Sequence, residues 1–328
     1  MGVLSFGRAW HTTAMFNRIR TFFRRMGPGL ITGASDDDPS GIATYSQAGA
    51  QFGFMPLWLT LFTLPGMIAV QEMCSRIAIV TKKGLIENVR TFFPKWFVWV
   101  VVILLAVANT LNIGADLGMM ASAAQLVTTR LPFWGWLALL TLITLGLQIA
   151  VSYESYAKYL KWLTLSLFSY VAVAFVVNVD WSAAIHATFL PTIVWNRDLL
   201  FIAVAFLGTT ISPYLYVWQA NCELETGLCA AAKNEQHVRT FTKDRLHASF
   251  LDLVSGMSLS NIVAWFIILT AATVLHANGL TQIETADQAA RVLAPIAGSF
   301  TSVLFALGII GTGLLAVPVL SSVVAYAF

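Results

Sequence analysis

GASDDDPSGIA, residues 33–43, sets three consecutive carboxylates, Asp36, Asp37 and Asp38, in one of the most apolar stretches of a 328-residue chain. A carboxylate at bilayer depth is costly unless it is paired, hydrated or bound to a cation. The same stretch carries Pro39, Ser40 and Gly41, which predict an interruption of the helix there. Charge beside freed backbone carbonyls is the chemistry of a cation site, in which Asp38 supplies the charge and the unwound 39–41 backbone supplies room and oxygen ligands. A second reading stays open, in which the aspartates only cap a half-helix at a water-filled mouth. Asp36 and Asp37 suit that reading better than Asp38, because three adjacent side chains on a helix cannot all face one ion.

The rest of the chain sets the medium. Its residues are 58% hydrophobic and only 11% charged, with a mean hydropathy of +0.75, which describes an integral membrane protein rather than a soluble domain. Apolar runs that match the roughly 30 Å of hydrocarbon, about 20 residues each, fall near 28–50, 56–80, 96–118, 133–151, 159–179, 199–220, 250–276 and 300–327. The expectation is an all-α polytopic membrane protein with eight spans. It comprises a leader over 1–27 and a single transmembrane domain over 28–328.

The basic residues orient it. With a cytoplasmic N-terminus, all but four of the 19 Lys and Arg fall on the inside: five between Arg8 and Arg25, then Lys82, Lys83, Arg90 and Lys95, then Lys158 and Lys161, then Lys233, Arg239, Lys243 and Arg245. Arg130, Arg197 and Arg291 lie outside, and Arg76 closes the second span. This is the positive-inside pattern. The leader has no apolar core before Pro28 and reads as a basic segment lying on anionic headgroups, not as a cleaved signal. Cys74, Cys222 and Cys229 suggest neither a disulfide nor a thiolate metal site. The compact loops favour a plasma membrane, and a bacterial inner membrane in particular.

A second break is expected in the sixth span, at GTTISPY, residues 208–214. Thr209, Thr210 and Ser212 beside Pro213 offer hydroxyls and freed carbonyls, although in kinked membrane helices such residues also simply satisfy the backbone. Five spans separate the two breaks, which is the pattern of an inverted repeat with its site at paired discontinuous helices. The final span, SVLFALGIIGTGLLAVPVLSSVVAYAF, reaches Phe328 without a polar flank, so the second repeat is expected to lack its C-terminal spans. Residues 277–299 suggest a short amphipathic helix, with Ile283, Ala286, Ala290 and Leu293 on one face and Glu284, Asp287 and Arg291 on the other.

Other polar residues inside the spans have two readings each. Asn109, Asn112 and Asp116 share one helix face and make either an ion or proton path or interhelical hydrogen bonds. Tyr214 and Tyr216 are gate or packing residues. Glu72 and Arg76, four apart, are a structural or gating pair. The histidines, His11, His186, His237, His247 and His276, fall in loops or at span ends. An HExxH, a nucleophile elbow, a P-loop and an intramembrane aspartyl pair are all lacking, so no enzyme is expected. No basic stripe suggests nucleic acid. Neither a cofactor nor an obligate protein partner is called for beyond the transported ion and the lipid bilayer.

GPGLITGASDDDPSGIATYSQAGAQFG (27–53), SRIAIVTKKGL (75–85), NIGADLG (112–118) and GTTISPYLY (208–216) resemble the first, second, third and sixth spans of the NRAMP family of divalent-metal transporters. The resemblance runs from about Gly27 to Phe328 and implies a LeuT-type fold with alternating access. It implies that the family's metal-binding Asp is Asp38. The Gly and Asn that follow in its Asp-Pro-Gly-Asn motif become Ser40 and Gly41. Its sixth-span Met ligand becomes Ser212, the carbonyl ligand three residues earlier belongs to Thr209, and the sixth-span His becomes Tyr214. The third-span Asp is Asp116, whereas the proton-pathway Glu becomes Met119. Loss of the thioether removes a preference for soft metals such as Mn and Fe and makes a partly hydrated Mg²⁺ plausible. Loss of the His and Glu puts proton coupling in doubt. The pattern looks more like the NRAMP-related magnesium branch than the manganese and iron importers. The expected function is transport of a divalent cation, Mg²⁺ or the Mn²⁺/Fe²⁺ class. Alternatives are a sodium-coupled small-solute symporter of the same fold and a non-transporting metal sensor or scaffold.

Overall fold

The structure, a computed structural model, describes residues 28–150, 163–191, 196–232 and 241–327. The leader and its arginines, His11, Lys158, Lys161, Lys233, His237 and Arg239 lie outside the described residues. So do the side chains of Cys229, Lys243, Arg245 and Leu293. Every element described is helical.

The chain enters through α1 (Pro28–Asp36) and α2 (Pro39–Phe52), separated only by Asp37 and Asp38. Asp38 is the reason α2 starts where it does. Its backbone is extended and its carboxylate accepts from Gly41 N as an N-cap, while Pro39 takes the first helical position, where no N–H is needed. The junction therefore lies before the expected Pro39–Ser40–Gly41 interruption, and those three residues form the first turn of α2. At its other end α2 stops at Gly53, whose φ of +62° suits glycine.

Next come α3 (Leu57–Thr81), the short α4 (Leu85–Phe92), α5 (Lys95–Val127) and α6 (Phe133–Ala150). A 3₁₀ turn (Thr164–Leu167) leads into α7 (Phe168–Val176), followed by α8 (Trp181–Phe189). Asn196 caps α9 (Arg197–Thr210) by accepting from Leu199 N at 2.7 Å. Ile211 and Ser212 then separate α9 from α10 (Pro213–Ala232). The chain continues through α11 (Phe241–Val274), α12 (Ala286–Ala297) and α13 (Ser299–Ala327).

Among the described residues, six helical stretches are long and apolar enough to cross a membrane: α3, α5, α6, residues 197–225 taken through the Ile211–Ser212 junction, α11 from Leu246 through Asn278, and α13. The sequence suggested eight. The two that fall short are 28–50, divided between α1 and α2, and 159–179, where the described part is the apolar Thr164–Val176. α12 has the expected amphipathic form, with Ala286 and Ala290 buried and Arg291 paired with Asp287 at 3.5 Å, whereas Ile283, also buried, and Glu284 precede the helix.

α11 and α13 are the central helices. α11 packs against α1, α2 and α3, and α13 against α5, α1 and α7. Close approach is possible because glycines meet: a Cβ on Gly33 would overlap the Gly256 carbonyl, and one on Gly256 would overlap that of Gly29. The outer helices turn Phe62, Leu104, Leu111, Leu142 and Phe201 outward, as helices facing hydrocarbon do.

Candidate functional site

The α1–α2 junction lies deep inside the bundle. Asp36, Asp37, Asp38 and Asp116 are each no more than 2% exposed. Asp38 Oδ1 accepts from Gly41 N at 2.6 Å and from Ser40 Oγ at 2.8 Å. Ser40 also reaches across to α5, donating its backbone N–H to Asp116 Oδ1 at 3.2 Å. One residue thus links the two carboxylates, through its side chain to Asp38 and through its main chain to Asp116.

The α9–α10 junction faces this one. The Tyr214 hydroxyl, one residue after Pro213, donates to the Ser35 carbonyl at 3.0 Å and lies 3.5 Å from Asp38 Oδ2. The Cβ direction of Gly41 points toward Thr209 Oγ1, 3.6 Å from where a Cβ would sit, and toward the Asp36 carbonyl and Asp38 Oδ1. Only glycine leaves that space between the junctions open. Ser212 Oγ donates to the carbonyls of Gly208 and Thr209 at 2.9 and 2.8 Å. Its proton is committed to the end of α9, and its lone pairs are what it can offer a cation.

The structure thus brings together Asp38, Ser40, Gly41, Thr209, Tyr214 and Asp116, with Ser212 at the same junction. It corrects one part of the chemistry expected of them. Ser40 and Gly41 lie inside α2, where main-chain carbonyls accept from the following turn, and Ser40 O also accepts from Thr44 Oγ1 at 3.2 Å. Their N–H groups hold the carboxylates in place. The carbonyls freed near Asp38 come instead from the last turn of α1, at Ser35 and Asp36, because the helix stops there.

The other candidates stand apart. Asn109 is buried and donates to Leu320 O at 3.3 Å, an interhelical bond between α5 and α13, while Asn112 is half-buried. Arg76 pairs with Glu72 on α3, but its side chain is 61% exposed, and neither residue reaches the junction. His186, His247 and His276 are exposed, and His276 Nδ1 lies 2.9 Å from Ala50 O, below α2.

Sequence reasoning missed the polar residues that fasten α1. Gly29 N donates to Asp252 Oδ2 on α11 at 2.7 Å. Thr32 bonds Gln219 on α10, Gln219 Nε2 donates to Glu223 Oε1 at 3.2 Å, and Ser249 Oγ of α11 donates to the same oxygen at 2.6 Å. Ser260 Oγ donates to Asp36 Oδ2 at 2.7 Å. The available signal was the presence of Gln, Glu, Ser and Asp at buried depth in apolar spans.

Chemically, the side chains and carbonyls brought together at the junction are a carboxylate, hydroxyls and carbonyl oxygens, a hard-oxygen set. Among the described residues, no three His, Cys, Asp or Glu side chains converge on one point.

Comparison with known proteins places this arrangement. Divalent metal cation transporter MntH of Klebsiella pneumoniae (strain 342) is 29% identical over 300 residues, covering 88% of this chain and 68% of the relative. The protein of the same name from Caldanaerobacter subterraneus subsp. tengcongensis is 24% identical over 305 residues. Crystal structures of the Eremococcus coleocola manganese transporter superpose with TM-scores of 0.75 and 0.76 at 16% identity, covering 94% of this chain and 66% of theirs. The chain thus spans about two thirds of the length of the proteins it matches. The family described as natural resistance-associated macrophage protein-like, Nramp, matches residues 29–328, and the chain belongs to that family.

Proposed function

We propose that this protein is a transporter, not an enzyme, and that it carries a divalent metal cation across the membrane by alternating access at the two facing helix junctions. The observation that carries the reading is the meeting of Asp38 with Tyr214, and of Gly41 with Thr209, across those junctions, deep in the bundle and packed against α5, α11 and α13. A buried carboxylate among neutral oxygens is what a desolvating cation needs, and paired discontinuous helices with an inverted repeat supply it at mid-membrane. The names of the relatives, divalent metal cation transporter and manganese transporter, support a divalent metal as cargo.

Asp38 is the anchor. The Thr209 carbonyl, the Ser212 hydroxyl and the carbonyls ending α1 complete the shell, while Ser40 and Gly41 hold the anchor and leave room. An all-oxygen shell favours a hard ion, and Mg²⁺ with retained waters fits it better than a soft transition ion does. Tyr214 and Met119 stand where the family resemblance has proton carriers, so the flux is uncoupled from protons. The N-terminus is cytoplasmic, and the membrane is a bacterial inner membrane.

Reconstitution into proteoliposomes with separate Mg²⁺ and Mn²⁺ dyes and an internal pH dye tests the reading. Mg²⁺ entry without acidification is expected. Mn²⁺ entry with acidification overturns the ion choice and the absence of coupling, and no flux of either ion from folded protein overturns the function.

A further inference from the structure

The anchor accounts for only part of the charge at the junction. Asp36 and Asp37 are 1% and 0% exposed. Asp36 Oδ2 receives the Ser260 hydroxyl, but Asp36 Oδ1 and both oxygens of Asp37 have no hydrogen-bond partner. The Tyr45 hydroxyl on α2 is likewise unpartnered at 0% exposure, within electrostatic range of all three aspartates. Among the described residues no Lys or Arg side chain is buried, so none of them balances this region.

Asp36, Asp37, Asp38 and Asp116 are four buried carboxyl groups, and one divalent ion offsets at most two of them when they ionise. A single ion cannot draw on all four, because no three acidic or imidazole groups among the described residues converge. Asp38 and Asp116 are already linked through Ser40. Asp36 and Asp37 are left as a second pair, with Ser260 on α11 bonded to Asp36. The end of α1 makes the pairing possible. Adjacent side chains on a continuous helix diverge by about 100°, but Asp37 lies past the last helical residue and is released from that constraint.

We propose that Asp36 and Asp37, with the Ser260 hydroxyl, hold a second hard cation, Na⁺ or Mg²⁺, separate from the ion at Asp38. The proposal rests on the reading of Asp38 as the transport anchor. The second cation neutralises the rear of the junction and keeps the end of α1 on α11 while the transported ion comes and goes.

The test is cation stoichiometry on the purified full chain in lipid nanodiscs, by equilibrium dialysis with ²²Na⁺ and, separately, with Mg²⁺ measured by elemental mass spectrometry. Wild type is expected to hold two cations. Asp38→Asn and Asp37→Asn are each expected to hold one, and competition in Asp38→Asn tells Na⁺ from Mg²⁺. One cation in wild type and none in Asp38→Asn overturns the second position and leaves the anchor reading intact. Two cations retained in Asp38→Asn overturn the anchor reading instead, and with it the proposal. If Asp37→Asn does not give monodisperse protein, the count in Asp38→Asn decides: one cation supports the second position and none overturns it.

Discussion

The backbone N–H of Ser40 donates to Asp116 Oδ1 at 3.2 Å, tying the first turn of α2 to the middle of α5. The second oxygen of Asp116 has no partner and is fully buried. Asp116 thus positions the junction and, when ionised, adds negative charge to it, and the two roles separate by substitution. Asp116→Asn keeps an acceptor for Ser40 and removes the charge, so folding is expected to persist while cation affinity falls about tenfold, the equivalent of about 1.4 kcal/mol. Asp116→Leu leaves the Ser40 N–H unsatisfied as well, and is expected to lower thermal stability in addition. Uptake kinetics and thermal melts of the two variants check this.

Asp38→Ala removes the proposed anchor and, with it, the cap of α2. Uptake is expected to disappear while membrane insertion, followed by fluorescence size exclusion, is retained. Uptake at the wild-type rate would exclude Asp38 as the ligand.

Tyr214→Phe deletes the hydroxyl that holds the Ser35 carbonyl at 3.0 Å. A neutral hydrogen bond contributes about 1 kcal/mol net, so cation affinity is expected to fall about fivefold with little change in expression. Dissociation constants from isothermal titration give the comparison, and an unchanged affinity would remove Tyr214 from the site.

Gly33→Ala places a methyl group against the Gly256 carbonyl where α1 crosses α11. Overpacking of this kind costs about 1–3 kcal/mol, and here the obstacle is rigid backbone. A clear drop in melting temperature is expected. By contrast, Arg76→Ala, at an exposed ion pair, is expected to change stability by no more than about 1 kcal/mol and to leave uptake unaltered.

Asp252→Ala leaves Gly29 N buried without the acceptor it now has at 2.7 Å. An unsatisfied buried donor costs about 1–3 kcal/mol, so the first turn of α1 is expected to loosen. Faster hydrogen exchange at residues near Gly29, with α13 unchanged, is the signature to look for.

The sequence by itself determined the medium and pointed to the proposed anchor. Apolar runs of bilayer length require helices, since only internally hydrogen-bonded backbone is stable in hydrocarbon, and a carboxylate triplet beside a proline marks costly charge kept for a reason. Asp38 and the helix ends near Pro39 and Pro213 were legible because proline chemistry acts within a few residues of the chain. Tertiary structure decided what depends on distant partners. The break fell at Asp37–Asp38 because Asp38 could cap α2 and Pro39 could occupy its first position, which turned Ser40 and Gly41 from carbonyl ligands into donors. Tyr214 reached Ser35, and Asp252, Gln219 and Ser260 fastened α1, across separations of roughly 180 to 225 residues. Such pairings leave no periodic trace along the chain, because a buried polar side chain is satisfied by whichever helix the fold brings beside it.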